Sequence, residues 1–263
     1  MFAEAFARLP PQPEPTGRDE YRQRQQRLTS QFRKNDLFIL SSPAFAVRSN
    51  DVDYRYRTSS DLLYLTGWTE PESVLIMRND GDAWVTALFV QPKDTLKEIW
   101  EGRRPGTEGA LEAFAVDEAY ENQALVACLQ EWLSTTHRVF VRGGINAVVD
   151  DVVEEAIRRR DRARQHFGTG PVSLEDPSGL IAELRLRKSA SEIEQMIYSS
   201  KVASIAHELA MRHSREGVTE YQLQSVIEGF FSYAGASGWS YPSIVGCGEN
   251  ARSEEHTSEL QSP

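Results

Sequence analysis

The sequence predicts a mixed-sheet α/β domain with flanking helices over residues 17–172, followed by an incomplete α+β domain over residues 173–251. Three observations carry this prediction. Short apolar runs alternate with helical stretches through the first part of the chain. Two of those runs, in "SVLIMRNDGDAWVTALFV", are joined by Asn79-Asp80-Gly81-Asp82, a tight-turn signal because such residues tolerate positive φ. Beyond "GTGPVSLEDPSG" (Gly168 to Gly179), where glycine, proline and serine cluster as in a linker, the pattern turns helical.

Taken in order, residues 1–16 contain Pro10, Pro11, Pro13 and Pro15 and are expected to form an extended arm. "RDEYRQRQQRLTSQF" predicts a polar helix and "DLFILSS" a buried strand. "DYRYRTSSDLLYLTGWTEPESVL" mixes Tyr54, Tyr56, Tyr64 and Trp68 with Arg55 and Arg57, as an amphipathic sheet edge with half-buried aromatics does. "KEIWEGRRPG" places Trp100 beside Arg103 and Arg104 in a loop bounded by glycine and proline, and loops on a rigid scaffold are where binding groups concentrate. "ENQALVACLQEWL" predicts a helix, "HRVFVRGG" a strand and "NAVVDDVVEEAIRRRDRARQ" a long helix.

After the linker, "KSASEIEQMIYSSKVASIAHELAMRHSREG" opens with Ser189 and Glu192 in capping-box spacing, so each can satisfy a free N–H at the helix start. Ile193, Met196, Ile197, Ile205 and Leu209 lie near helical spacing. The helix of "TEYQLQSVIEGFFSYAG" opens with Thr219 and Gln222 in the same relation, and Leu223, Val226, Ile227, Phe230 and Phe231 form its apolar face. "YPSIVGCG" predicts a buried strand. Two helices and one strand do not close a core, so this second domain is expected to be incomplete.

Composition excludes several function classes. A net charge of −10 disfavours nonspecific binding to nucleic acid or to an anionic membrane. The one basic run against that sign, Arg158 to Arg164, fits the solvated end of a helix, where cations complement the dipole. No run approaches 18 apolar residues, so no transmembrane helix is expected, and the N-terminus lacks a secretory pattern. Cys128 and Cys247 suggest no disulfide framework, which fits a cytoplasmic protein. Of the five histidines, none forms H-x-x-x-H or H-E-x-x-H. His207 and His213 fall on different faces of one helix and read as surface or hydrogen-bonded core residues. Cys247 in G-C-G has no nearby histidine to activate it, and no helix start follows to make a phosphate loop.

"YRYRTSSDLLYLTGWTEPESVL" and "EIWEGRRPG" resemble the N-terminal domain signatures of Xaa-Pro aminopeptidase, also called aminopeptidase P. "ELRLRKSASEIEQM" (Glu183 to Met196) and "SYPSIVGCGENA" (Ser240 to Ala251) resemble the opening of that family's pita-bread catalytic domain. The resemblance runs in order from about residue 20 to Ala251, and several motifs in one order are far more specific than any alone. It implies a creatinase/aminopeptidase P type of N-terminal domain and a metal-dependent hydrolase. Such an enzyme removes the first residue from peptides with proline second, using two divalent ions, usually manganese. It also implies proline-containing peptides as substrates and a homo-oligomer as the assembly, with neither nucleic acid nor membrane as partner. Three substrate-binding residues follow. Trp100 stands where the family's E-I-W tryptophan reaches a neighbouring subunit's active site, Tyr241 matches a tyrosine lining the substrate pocket, and Arg164 lies near another arginine implicated there.

The family's metal ligands, two aspartates, a histidine and two glutamates, follow further downstream in D-A-G, D-x-T-R and H-G-x-x-H contexts. This chain contains none of these motifs, so no catalytic residue and no metal ligand is assigned to it, and the chain by itself is expected to be inactive. After Ala251 it reads "RSEEHTSELQSP". That string matches the translation of a common sequencing adapter, and residues 252–263 are expected to be a non-biological tail joined to a truncated gene. The acidic cluster Glu254, Glu255, His256 and Glu259 therefore receives no ligand role, although its composition suits one. Two alternatives to an Xaa-Pro aminopeptidase stay open: a prolidase restricted to X-Pro dipeptides, and a non-catalytic pita-bread relative acting as a binding or oligomerisation module. Sequencing the gene across codon 251 checks the tail: the frame is expected to depart from "RSEEHTSELQSP" after Ala251, and a genomic frame that encodes it contradicts the assignment.

Overall fold

The computed structural model of the protein describes residues 1–162 and 170–251. The chain divides into two compact units, Thr16–Arg187, and Met1–Pro15 together with Lys188–Pro263. After α1 (Phe2–Phe6), which belongs to the second unit, come α2 (Arg18–Thr29), β1 (Asp36–Ser41), the short hairpin of β2 (Val47–Ser49) and β3 (Val52–Asp53), and α3 (Ser60–Thr66). Then follow β4 (Val74–Asn79), β5 (Trp84–Val90), α4 (Thr95–Glu101), α5 (Gly106–Ala113), β6 (Glu118–Glu121), α6 (Leu125–Leu133), β7 (Arg138–Val141) and α7 (Ala147–Arg162). The last elements of the first unit are β8 (Ser173–Glu175) and α8 (Ser178–Leu186). The second unit continues with α9 (Ala190–His213) and α10 (Glu220–Tyr233).

In the first unit six strands form one mixed sheet in the order β6-β5-β4-β1-β7-β8. The β1–β4 and β4–β5 pairs are antiparallel, whereas β1–β7, β5–β6 and β7–β8 are parallel. The strands' side chains alternate between two cores. Phe38, Leu40, Leu75, Met77 and Leu88 face Leu28 of α2, Leu62 and Leu65 of α3, and Ile181 and Leu184 of α8. Leu37, Ile39, Ile76, Ala87 and Phe89 face Leu125, Leu129 and Leu133 of α6 and Val149, Val152 and Val153 of α7. Period-two alternation thus places one helical layer on each face of the sheet.

The hairpin expected at residues 79–82 is built from side chains that cap the turn. Asn79 Oδ1 accepts from the Gly81 N–H at 2.9 Å, and Asp80 Oδ1 accepts from Asp82 and Ala83 at 3.1 and 3.0 Å. Those two backbone donors hold the Asp80 carboxyl below the usual carboxylate range.

The polar helix α2 is less exposed than its composition suggests, because Arg24 and Gln25 are buried. Gln25 Nε2 donates to the Leu65 and Ala115 carbonyls at 2.9 and 2.7 Å, and Arg24 donates to the Tyr64 carbonyl at 2.9 Å with its guanidinium over the Tyr64 ring. Burial of polar groups is tolerated here because each has partners.

Several expectations are corrected. The aromatic segment from Asp53 to Leu75 is no sheet edge: it holds α3, with Tyr64 and Trp68 in the core and Tyr54 exposed. Gly67 ends α3 at φ +76°, and a Cβ there would lie 2.9 Å from the Tyr21 ring, so backbone conformation and packing both select glycine. Trp68 Nε1 donates to Ser73 Oγ at 2.7 Å, and its ring meets Phe114 edge-on at 4.8 Å between centroids.

The "KEIWEGRRPG" stretch is half helix. Asp94 caps α4 by accepting from Leu96 and Lys97 at 3.0 and 3.2 Å, and only residues 102–105 are loop. The stretch expected to be a linker contributes β8, which pairs with β7, and the start of α8, whose Ile181 and Leu184 just beyond it are buried. The first compact unit accordingly runs to Arg187 rather than to residue 172.

In the second unit the N-terminal residues, expected to be extended, form helix α1. Phe2 meets Phe230 of α10 edge-on at 5.7 Å, and Ala5 is buried with Val202, Ile205, Ala206 and Leu209 of α9. The capping box at Ser189 and Glu192 is present, and both helices take their expected positions. The apolar pattern of α9 splits, however: Ile205 and Leu209 are buried, whereas Ile193, Met196 and Ile197 are exposed. The reason is length, because α9 has 24 residues against 14 for α10, and its buried residues all lie from Val202 onward. Residues 241–247 form no strand, and Tyr241 and Ile244 are exposed, because no strand of this unit pairs with them among the described residues. The tail 252–263 lies outside the described residues.

The two tryptophans give a direct check on the first unit. Trp68 is 1% exposed and Trp100 is 89% exposed. Trp68→Ala is expected to cost about 3–5 kcal/mol and Trp100→Ala less than about 0.5 kcal/mol, both read from urea unfolding; comparable losses would contradict this packing.

In the second unit Arg8 Nη2 donates to Glu208 Oε2 at 2.6 Å, and this bond, with the charge of Arg8, holds the Glu208 carboxyl below its usual range. A depressed carboxyl contributes stability above its unfolded pKa of about 4.3, lost as pH falls through the folded value. Arg8→Ala is therefore expected to return the Glu208 titration, followed by carboxyl ¹³C shift, toward the usual range; an unchanged titration would contradict the pairing.

Candidate functional site

Residues of functional interest lie in both units. In the first unit Trp100 projects from α4, flanked by exposed Leu96 and Ile99. The helix is held by its Asp94 cap at one end. At the other end Arg104, whose side chain is 9% exposed, donates to Glu101 at 2.6 Å and to the Pro92 carbonyl at 3.3 Å. The same neighbourhood includes Glu70, whose carboxyl burial pushes up in pKa while the Arg104 charge opposes the rise. The Tyr56 hydroxyl donates to the Glu70 carbonyl at 3.4 Å, and the Tyr56 ring packs against Phe45 at 5.3 Å. Glu70 and Arg104 thus lie within electrostatic reach of one another, one from each of the two N-terminal segments that carried the resemblance, "YRYR…GWTEP" and "EIWEGRRPG".

In the second unit a cleft of about 450 Å³ lies between α9, the end of α10 and the segment that follows it. Gln12 of the N-terminal arm, Gln195 and Tyr198 of α9, Phe231 of α10, and Trp239 and Ser240 line it. The arm is fastened there by Gln195 Nε2, which donates to the Glu14 carbonyl at 2.9 Å. Tyr241 follows directly on Ser240 and is 69% exposed. The walls combine aromatic surface with amide and hydroxyl groups, a chemistry suited to a peptide, whose backbone needs hydrogen-bond partners and whose side chains need apolar cover.

Of the three predicted site residues, Trp100 stands in the first unit and Tyr241 in the second, while Arg164 lies outside the described residues. The described arginines of the basic run form ion pairs along the helix: Arg158 with Glu154 and Arg159 with Glu155 one turn apart, Arg162 with Glu155 two turns apart, and Arg160 with its neighbour Asp161. This is the solvated helix face expected of it. His207 and His213 each donate from Nδ1 to the carbonyl one turn back, at 2.9 and 2.7 Å. Gln12, Gln195 and Tyr198 escaped sequence reasoning. An arm rich in proline has no periodicity to place it, and polar residues on the flank of α9 carry no motif.

Among the described residues, no group of three or more histidine, cysteine, aspartate or glutamate side chains is placed to hold a metal ion. No helix of the described residues is long and apolar enough to cross a membrane.

Comparison with known proteins gives two family matches in chain order. Residues 21–140 match the aminopeptidase P N-terminal domain, and residues 194–260 match metallopeptidase family M24. The chain is 33% identical over 234 residues to the Xaa-Pro aminopeptidase of Escherichia coli, covering 89% of this chain and 53% of that protein. It is 30% identical to the Xaa-Pro aminopeptidase of Haemophilus influenzae, covering 89% of this chain and 52% of that protein. Among solved structures, a low-pH form of E. coli aminopeptidase P superposes with a TM-score of 0.83 at 32% identity, over 90% of this chain and 54% of that one. Proline aminopeptidase P II from Yersinia pestis superposes with a TM-score of 0.82 at 34% identity, over 89% of this chain and 54% of that one. The chain spans about half the length of the relatives it matches. A mixed sheet between two helical layers, followed by helices that enter a second domain, is thus the arrangement of the aminopeptidase P structures, with residues 21–140 matching that family's N-terminal domain.

Proposed function

We propose that this chain carries the N-terminal domain and the opening of the catalytic domain of a metal-dependent Xaa-Pro aminopeptidase, which hydrolyses the bond between a peptide's first residue and a following proline. The observation that carries the reading is the order of the two family matches, with relatives of that activity aligned across both. Divalent metal fits the metallopeptidase match, and one similar structure is described as a zinc-substituted E. coli aminopeptidase P in complex with product. Manganese is the metal proposed for this protein.

The share of the work proposed for the described residues is binding and positioning. Tyr241 presents an exposed ring beside a cleft with peptide-compatible walls. Trp100, with Leu96 and Ile99, forms an exposed apolar patch on a capped helix, which supports a homo-oligomer in which Trp100 reaches another copy. Arg164 is the third proposed substrate contact. A cytoplasmic location accords with the two free cysteines.

An assay with manganese and an X-Pro-Y tripeptide tests the function. The 263-residue chain is expected to release no N-terminal residue above background, and the product of the complete gene to release it. Cleavage of X-Pro dipeptides alone would make the protein a prolidase, and no turnover of either peptide would make it a non-catalytic relative; both outcomes contradict the proposal.

A further inference from the structure

The carboxylate of Glu220 stands at the first position of α10 and holds a distant part of the chain. Its Oε1 accepts from the Cys247 N–H at 2.8 Å and from Asn250 Nδ2 at 3.2 Å. The helix does not need this carboxylate for its own cap, because Gln222 Oε1 already reaches back to the Thr219 N–H at 2.9 Å. The turn it grips is closed on itself: Asn250 N donates to the Cys247 carbonyl at 3.0 Å and Ala251 N to the Gly248 carbonyl at 3.1 Å. Position 246 admits only glycine, since a Cβ there would lie 2.5 Å from the Asn250 carbonyl oxygen.

At the opposite end of α10 the chain is anchored as well. Ala236 N donates to the Phe231 carbonyl at 3.0 Å and Gly235 N to the Ser232 carbonyl at 3.1 Å. Residues 234–240 then line the cleft.

A 14-residue helix is about 20 Å long at ~1.5 Å per residue. The chain from Ala234 to Cys247 returns over that length in thirteen steps, since Cys247 is bonded to Glu220 at the start of the helix. Its burial agrees: Ser243 and Val245 are half-buried, while Pro242 and Ile244 between and beside them are exposed. Period-two alternation in a segment with no strand partner is the signature of a chain stretched over a surface.

We propose that Glu220 is a positioning residue: by fixing the Cys247–Asn250 turn beside the start of α10 it restrains the segment between that turn and the cleft, and Tyr241 with it. The functional half of this inference rests on the reading of Tyr241 as a substrate-binding residue; the mechanical half does not. Release of this anchor would leave the segment restrained only at its α10 end, and Tyr241 would move more freely without any change in the helices.

Amide hydrogen exchange by NMR on the 263-residue protein tests the mechanical half, with E220A and E220Q compared to the parent. In E220A, exchange at Cys247 is expected to rise by about tenfold or more, the effect of losing one charge-assisted hydrogen bond. The Tyr241 amide shift should move with it while Phe230 exchange stays constant. E220Q keeps the acceptor oxygen and should restore most of the protection. Equal Cys247 exchange in all three proteins, an unmoved Tyr241, or Phe230 exchange rising in step would overturn the proposal. In the product of the complete gene, E220A should raise KM for an X-Pro tripeptide several-fold with kcat within about twofold, and E220Q should lie near the parent; a fall in kcat at constant KM would overturn the assignment to substrate positioning. If the complete product turned over no such peptide, the proposed function would fail, and the exchange experiment would still decide whether Glu220 holds the turn.

Discussion

The first unit depends on the burial of β1 on both faces. All six of its residues are buried, so each needs a helical layer or a hydrogen-bond partner above it. Leu37 and Ile39 take the layer of α6 and α7, Phe38 and Leu40 that of α2, α3 and α8. The polar ends of the strand are the delicate points. At its start the Asp36 carboxylate accepts from the Arg33 N–H at 2.7 Å and from Arg138 Nε at 3.1 Å, and Arg138 reaches on to Glu175 at 3.3 Å. One guanidinium thus ties the starts of β1 and β7 to the end of β8. The Asp36 side chain is 2% exposed, and removing its partner would strand a buried charge at a cost of about 3–5 kcal/mol. At the other end Ser42 Oγ accepts from the Ser73 N–H, and Ser73 Oγ accepts from the Trp68 indole. This chain of bonds secures the start of β4 and the ground beneath Glu70, Tyr56 and α4. An exposed tryptophan on a seven-residue helix keeps a defined position because the scaffold beneath it is this well determined.

The second unit is organised around Phe230, which is fully buried. It collects Phe2 and Ala5 from the N-terminal arm and Val202, Ile205 and Leu209 from α9. Fifteen residues from the start of the chain therefore complete the small core of a unit whose other residues begin at Lys188. The apolar residues at the other end of α9 and the unpaired segment after α10 lack such cover among the described residues.

Sequence reasoning recovered what rests on local rules. The Asn79–Asp82 turn, the Ser189 capping box and the apolar face of α10 each need only neighbouring residues to form, and each is present. What it missed depends on distant partners. The arm looked extended because prolines dominate its second half, yet Phe2 and Ala5 find α9 and α10. Residues 241–247 have the composition of a buried strand, but a strand needs a neighbour and the described residues supply none. The buried polar groups of α2 read as solvent-facing, since nothing local announces that Gln25 will find two carbonyls from residues 65 and 115. The site was legible only as resemblance. Trp100 and Tyr241 were picked out by motif, whereas the cleft beside Tyr241 and the Glu220 anchor emerge only when α9, α10 and the following segment are assembled.

In the proposed function Trp100 and Tyr241 bind and position a peptide, and no metal ligand is assigned to residues 1–251. The sharpest rival to this assignment is the composition of the tail, where Glu254, Glu255, His256 and Glu259 fall within six residues. Manganese titration followed by electron paramagnetic resonance separates the two. The account predicts that the six-line signal of aqueous Mn²⁺ grows in proportion to added metal, with no equivalent taken up by the 263-residue chain. Stoichiometric loss of that signal, abolished by His256→Ala, would contradict it.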